Sequence, residues 1–163
     1  MDIKGKNVLV LGAAVTGIPT ALELYNMGCN ITLNDCKPLA QLDEYIHDLD
    51  NLSIEIITGG HPIELASNCD FIVISPGVPT DIPLVKEAKK LGKEVISEVE
   101  LAYRMTQTPI AAITGTNGKT TTTALLGEIM KESGRKTFVV GNIGNPMIKE
   151  VKNALPEDLF VLE

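Results

Sequence analysis

The chain has 163 residues and a formal net charge of −7; 44% of its residues are hydrophobic and only 4% are aromatic. This length allows one ordinary domain, or a small domain with part of a second, around a core that Val, Ile, Leu and Ala must fill. The charge, with its scattered basic residues, argues against a general nucleic-acid or membrane surface, and the absence of a long apolar run or a signal peptide predicts a cytosolic protein.

Strands alternate with helices over the first hundred residues. NVLVL (7–11) is a β-branched run that ends in Gly12, and Ile18, Ala21, Leu22 and Tyr25 then recur at helical spacing. Such alternation predicts a parallel, doubly wound sheet, that is, a Rossmann-like α/β domain. The further strands are predicted at 30–33, 53–57, 71–74 and 94–96, and the further helices at 39–49 and 84–91.

The same alternation restarts after Pro109. Residues 98–108 show no strand pattern, and we interpret them as a connection to a second unit. A strand at 110–113, a turn and a helix at 119–132 follow, with strands at 137–140 and 159–162. A sheet normally has about five strands, so we predict a complete domain over 1–104 and the incomplete start of a P-loop ATPase α/β domain over 105–163, as in a truncated protein. The apolar face of the 119–132 helix is predicted to be Leu125, Leu126, Ile129 and Met130.

The turn TGTNGKT (114–120) joins the predicted strand at 110–113 to the helix that begins at Lys119. Glycines let backbone N–H groups face phosphate oxygens, and the helix N-terminus adds positive partial charge. Lys119 would act as the catalytic lysine on the β- and γ-phosphates of ATP, and Thr120 would ligate Mg²⁺. Because Ile113 stands where GxxxxGK[ST] asks for glycine, a merely structural turn stays an alternative. The candidate ATP-binding residues are Gly115, Thr116, Asn117, Gly118, Lys119, Thr120 and Thr121.

The turn GAAVTG (12–17) follows the first strand where a dinucleotide-binding fingerprint would lie. Ala14 replaces the second glycine of GxGxxG, which weakens the case for a nicotinamide cofactor. The N–H groups of Val15, Thr16 and Gly17 still open a helix and can hold a diphosphate. A purely structural turn is the alternative.

Asp35 ends the second strand, where a carboxylate can accept hydrogen bonds from a ribose or a base edge. The alternative is a helix cap before Lys37 and Pro38. The three cysteines, Cys29, Cys36 and Cys69, show no metal-ligand spacing and are expected to be reduced thiols.

TGTNGKT after an apolar strand resembles the ATP-binding signature of the Mur ligases and the related folylpolyglutamate synthetases. In order along the chain, GxxxTG, ND, SPGVP, TGTNGKT and GNIG resemble the branch that adds D-glutamate to UDP-N-acetylmuramoyl-L-alanine. The resemblance implies an ATP- and Mg²⁺-dependent, ADP-forming amide ligase of peptidoglycan precursor synthesis, which serves cell shape and cell division. It also implies a cytoplasmic monomer with no nucleic-acid or membrane partner.

The resemblance also assigns roles by position. It implies that the first turn holds the phosphates of the uridine nucleotide, that Asp35 and its neighbours meet uracil and ribose, and that Asn142 touches the muramoyl end. Cys36 and Lys37 stand where the family often has threonine and arginine. Glu163 would bind Mg²⁺ with Thr120, and a solvated acid is its alternative. The implied residues for the UDP substrate are Val15, Thr16, Gly17, Asp35, Cys36, Lys37, Ser75, Pro76, Gly77 and Asn142.

The D-glutamate site lies, by the resemblance, in a C-terminal domain that this chain lacks. We therefore expect residues 1–104 to keep weak uridine-nucleotide affinity and the chain alone to show no turnover. The rival classes are another Mur ligase (alanine-adding), a dehydrogenase-like domain, a P-loop regulatory switch and a nucleotide-binding or interaction module without ligase activity.

Overall fold

The computed structural model describes residues 3–42 and 46–163 and shows strands alternating with helices in both halves of the chain. It divides into two units, Met1–Leu101 and Ala102–Glu163. The functional division at residues 104 and 105 stays a prediction.

The first unit is built on a five-stranded sheet in which every neighbouring pair is parallel, in the order β3-β2-β1-β4-β5. Parallel strands place their carboxyl ends at one edge, and the order turns back beside β1, which is where such sheets bind ligands. Gly12, Asp35 and Ser75 lie at this edge. The strands are β1 (Asn7–Leu11), β2 (Asn30–Asp35), β3 (Ile54–Thr58), β4 (Phe71–Ile74) and β5 (Glu94–Ser97).

Helices cover this sheet and bury its apolar strands. Leu9, Leu11 and Ile72 pack with Leu84 and Val85 in one core cluster. The helices of the first half are α1 (Gly17–Asn26), α2 (Leu65–Asn68), α3 (Pro83–Lys90) and α4 (Glu98–Met105), with 3-10 turns at Leu39–Gln41 and His47–Leu49.

Two predictions for this half differ from the structure. The helix expected over 39–49 has 3-10 turns at its two ends; Ile46 between them is α-helical and donates its N–H to the Leu42 carbonyl at 3.1 Å, and residues 43–45 of that prediction lie outside the described residues. The connection expected over 98–108 is largely helix α4. Leu101 and Ala102 are fully buried there, so tertiary packing stabilises this short helix.

The second unit contains a three-stranded parallel sheet in the order β6-β8-β7. Phe160 and Val161 of the central strand are fully buried. No helix within the described parts of the chain has the length and apolar character needed to cross a bilayer. The elements are β6 (Ile110–Ala112), α5 (Lys119–Glu132), β7 (Thr137–Val140), α6 (Met147–Glu150), a 3-10 turn at Val151–Asn153 and β8 (Leu159–Leu162).

Helix α5 has the predicted bounds but a different buried face. Its buried residues are Thr123 and Gly127, and a Cβ at Gly127 would lie 2.5 Å from Cγ2 of Val139. Of the predicted apolar face, Leu125 and Ile129 are 59% and 54% exposed, whereas Leu126 and Met130 are half-buried. Small side chains allow the helix to lie close to β7, and hydrophobic periodicity does not report this kind of contact.

Candidate functional site

Two glycines shape the turn between β1 and α1. Gly12 has φ +97°, and a Cβ there would lie 2.9 Å from Cβ of Ser75. A Cβ at Gly17 would lie 1.6 Å from the Gly12 carbonyl oxygen. Only glycine fits at either position, so the turn has the tight bend and the close helix–strand approach of a dinucleotide-binding fingerprint although Ala14 breaks the pattern.

The start of α1 offers unused hydrogen-bond donors. Among the described residues, the N–H groups of Val15, Thr16 and Gly17 and the Thr16 hydroxyl donate no hydrogen bond. Val15 is 70% exposed, and the first turn of the helix carries no acidic residue. A helix N-terminus with free N–H groups attracts anions, so this turn can hold a phosphate.

Asp35 is buried and already bonded to the backbone through both oxygens. Oδ2 accepts a 2.7 Å hydrogen bond from the N–H of Ala13, and Oδ1 accepts one of 2.8 Å from the N–H of Lys37. The carboxylate therefore ties the first turn to the end of β2. The bond from Lys37 is a local contact two residues along the chain rather than the helix cap considered as an alternative, since the 3-10 turn at Leu39–Gln41 has no side-chain cap; contact with a ligand stays a prediction for Asp35.

The segment after β4 completes the same edge of the sheet. The Ser75 hydroxyl donates to the Gly12 carbonyl at 3.3 Å, and the Ser75 N–H donates to the Leu11 carbonyl at 2.9 Å. Pro76 and Gly77 are exposed, as are Cys36 and Lys37 after β2. The structure thus places the predicted first-unit residues at the carboxyl ends of β1, β2 and β4 or in the segments that directly follow these strands.

Asn34 and His61 form a contact at this edge that was not foreseen from the sequence. Asn34 is fully buried, and its Nδ2 donates to the carbonyls of Ile57 at 2.9 Å and Gly60 at 2.8 Å. Its Oδ1 lies 2.6 Å from Nδ1 of His61. An amide at the end of an apolar strand and the glycine pair before His61 are the signals that could have indicated this contact.

In the second unit, the loop 114–118 presents its backbone to solvent. Gly115 and Gly118 have φ +153° and +76°, which favour glycine. The Lys119 ammonium donates to the Gly115 carbonyl at 2.7 Å and lies 3.5 Å from the Thr116 carbonyl oxygen. Within the part of the chain that the structure describes, the N–H groups of residues 115–121 donate no hydrogen bond. The predicted ATP-binding residues Gly115, Thr116, Asn117, Gly118, Lys119, Thr120 and Thr121 are thus adjacent along this loop and the first turn of α5, and all except the half-buried Lys119 are exposed.

Glu163 follows β8 and carries a buried polar atom without a partner. Its Oε2 has no hydrogen-bond partner among the residues that the structure describes, and such an atom is costly unless something compensates it. The N–H of Asn142 donates to the Glu163 carbonyl at 3.4 Å, so the exposed Asn142 lies in a turn beside this residue. A Cβ at Gly141 would lie 2.4 Å from the same carbonyl oxygen, so the turn needs glycine there.

The donor types of the two predicted ligands, the Glu163 carboxylate and the Thr120 hydroxyl, are compatible with Mg²⁺. Across residues 3–42 and 46–163, no cluster of three or more His, Cys, Asp or Glu side chains could hold a metal ion. Mg²⁺ is commonly bound by one or two protein oxygens together with water and substrate phosphates. A single unpartnered carboxylate oxygen and a hydroxyl therefore fit Mg²⁺ better than zinc, which takes three or four protein ligands.

Comparison with known proteins extends over the whole chain. Residues 6–97 match the model of the Mur ligase MurD-like N-terminal domain, and residues 113–162 match that of the Mur ligase middle domain. Proteins named UDP-N-acetylmuramoylalanine--D-glutamate ligase from Alkaliphilus metalliredigens and Clostridioides difficile are 50% and 46% identical over 165 residues. Each alignment covers 100% of this chain and 36% of the relative, so the chain spans about a third of their length.

Solved structures of similar fold include a pseudomurein peptide ligase type C from Methanothermus fervidus, 26% identical with a TM-score of 0.55 over 97% of this chain and 33% of that one. The UDP-N-acetylmuramate:L-alanyl-gamma-D-glutamyl-meso-diaminopimelate ligase from Neisseria meningitides is 20% identical, has a TM-score of 0.55 and covers 98% of this chain and 52% of that one. The second likeness shows the fold alone. Since the N-terminal model alone covers more than half of the residues, this chain belongs to the Mur ligase family.

Proposed function

We propose that this chain is the first part of an ADP-forming ligase that joins D-glutamate to UDP-N-acetylmuramoyl-L-alanine during peptidoglycan precursor synthesis. The observation that carries the proposal is the set of whole-chain relatives, up to 50% identical, that bear the name of this ligase. The activity belongs to the longer protein, which we propose to be a cytoplasmic monomer that serves cell shape and division. The D-glutamate site is proposed to lie outside this chain.

Residues 1–104 are proposed to bind the uridine nucleotide. The free N–H groups of Val15, Thr16 and Gly17 at the start of α1 would hold the diphosphate. The loops after β2 and β4 would meet the nucleoside, because they lie at the same carboxyl edge of the sheet. The proposed contacts in these loops are Asp35, Cys36, Lys37, Ser75, Pro76 and Gly77.

Residues 105–163 are proposed to bind ATP. Lys119, which now donates to the Gly115 carbonyl at 2.7 Å, would turn its ammonium to the β- and γ-phosphates. Loop N–H groups would hold the same phosphates, and Asn142 would touch the muramoyl end of the substrate. Mg²⁺ held by Thr120 and Glu163 would supply further neutralisation of phosphate charge.

In the proposed reaction, the alanyl carboxylate of the nucleotide substrate attacks the γ-phosphorus of ATP and ADP leaves. The resulting acyl phosphate is attacked by the amine of D-glutamate, and phosphate leaves as the amide forms. The contribution of this chain is to hold two anionic substrates in fixed orientation and to neutralise the transferred phosphoryl group through Lys119.

Isothermal titration tests both binding proposals on the 163-residue chain. We expect heat from UDP-N-acetylmuramoyl-L-alanine and, separately, from ATP with Mg²⁺. Lys119→Ala should weaken ATP binding by about tenfold or more, since it removes a charge-assisted contact, and should leave nucleotide-substrate binding unchanged. Lys131→Ala is the matched control, because Lys131 lies in the last turn of α5 and pairs with Glu128.

No heat at millimolar UDP substrate would refute the role of the first unit. Equal ATP affinity in the two lysine variants would refute the role of Lys119. Release of phosphate by the chain alone, with all three substrates present, would contradict the proposal that the remaining part of the enzyme is needed for turnover.

A further inference from the structure

The amide of Asn34 determines which nitrogen of His61 carries a proton. Both donors of the Asn34 amide are used, on the carbonyls of Ile57 and Gly60, so its oxygen is the atom that faces the ring at 2.6 Å. An amide oxygen can only accept, and Nδ1 of His61 must therefore donate. In the neutral ring Nε2 then has no hydrogen and is a hydrogen-bond acceptor.

The loop that carries His61 lies directly beside the segment proposed to meet the nucleoside. Thr58 at the end of β3 pairs with Asp35 at the end of β2, and the N–H of Gly59 donates to the Lys37 carbonyl at 3.0 Å. His61 is half-buried, and among the described residues only its Nδ1 has a hydrogen-bond partner. Asn34 thus holds the ring through Nδ1, and Nε2 has no protein partner within the described part of the chain.

The acceptor that the sequence indicated at this edge is buried and already partly occupied. Each oxygen of Asp35 already accepts a backbone N–H, from Ala13 and from Lys37, and the residue is 8% exposed. A nucleoside has donors that need a partner when they leave water, namely the N3–H of uracil and the ribose hydroxyls.

We infer that Nε2 of His61, fixed by Asn34, accepts a hydrogen bond from the nucleoside of the uridine nucleotide, either from the N3–H of uracil or from the ribose 2′-hydroxyl. The inference rests on the proposed function of the first unit. A contact to N3–H would select uracil against cytosine, whose N3 is itself an acceptor. His61 is in that case a specificity-determining residue.

Two substitutions separate recognition by Nε2 from the structural contact made by Nδ1. His61→Asn keeps an amide group at the position of Nδ1, where it can donate to Asn34, and removes Nε2. His61→Gln places a polar group near the position of Nε2 and removes the donor to Asn34. His47→Asn is the matched control, because His47 is exposed and lies near Asp50 on a 3-10 turn.

Isothermal titration with UDP and thermal melting give the two readouts. We expect His61→Asn to weaken UDP binding roughly three- to tenfold, as for the loss of one hydrogen bond, with an unchanged melting temperature. His61→Gln should retain affinity within about twofold and melt at a lower temperature. His47→Asn should match the parent chain in both measurements.

CDP and 2′-deoxy-UDP identify the group that His61 contacts. If the contact is to uracil, His61→Asn reduces the preference for UDP over CDP; if it is to the ribose, the preference for UDP over 2′-deoxy-UDP falls. The inference is overturned if His61→Asn binds UDP like the parent chain, if it weakens all three nucleotides equally, or if its affinity falls only together with its melting temperature. A parent chain that binds no UDP would refute the proposed function itself, and the inference with it.

Discussion

Gly17→Ala tests whether the close approach of α1 to β1 is required for the first unit to fold. The added Cβ would lie 1.6 Å from the Gly12 carbonyl oxygen, whereas ordinary contact begins at 3.4 Å. The backbone must therefore move by the difference between these distances, about 1.8 Å, and no rotamer change can relieve a contact with a carbonyl. The same carbonyl accepts from the Ser75 hydroxyl at 3.3 Å, so the movement also disturbs the loop after β4.

Overpacking typically costs about 1–3 kcal/mol, and we expect the upper end, about 3 kcal/mol, because the clash is with backbone. With a urea dependence of about 1.5 kcal/mol/M, the unfolding midpoint of the first unit should fall by about 2 M. Gly77→Ala is the control: a Cβ at Gly77 would have no heavy atom of the described residues within 4 Å, and φ there is not positive. This variant should unfold within about 0.5 kcal/mol of the parent chain.

Urea unfolding followed by circular dichroism provides the measurement. A Gly17→Ala midpoint within about 0.3 M of the parent would show that the turn adapts without loss of packing. The explanation of Gly17 as a position that only glycine can occupy would then be wrong.

Two further predictions concern groups buried in the first unit. Asp35→Asn should lower the free energy of unfolding by about 2 kcal/mol, because an amide offers one oxygen where the carboxylate accepts from two N–H groups; urea unfolding measures this. Burial raises the pKa of the Cys29 and Cys69 thiols, whereas Cys36 is exposed. A thiol reagent should therefore show one fast reaction, and Cys36→Ser should abolish it. The folded pKa of both buried thiols exceeds the unfolded value of about 8.5, so the folded state retains more protons between the unfolded and the folded pKa. The free energy of unfolding should therefore decrease as pH rises from the unfolded to the folded pKa.

The controls for these two predictions are equally direct. Asp81→Asn changes an exposed carboxylate, and an equal midpoint shift in both aspartate variants would show that the bonds of Asp35 add nothing. Two or three fast thiols in the folded chain would contradict the burial of Cys29 and Cys69.

Hydrophobic periodicity was sufficient to predict most of the elements. The strand expected at 7–11 is β1, the helix expected at 119–132 is α5, and the parallel α/β class is confirmed. These elements carry their signal locally, since a buried parallel strand needs a continuous apolar run and a helix needs apolar residues at regular spacing. The glycine turns were likewise visible, because a tight turn and a positive φ require a residue without a side chain.

Only the tertiary structure decided which partner each polar group meets. Asn34 and Asp35 at the end of β2 meet His61 and the N–H of Ala13, which come from other segments, and no local pattern records that these groups meet at one edge of a sheet. The face of α5 is a second case: Thr123 and Gly127 are buried while Leu125 is exposed, because the approach of the helix to β7 selects small side chains. Local sequence determines where a strand or helix forms, whereas contacts between distant segments depend on how those elements pack.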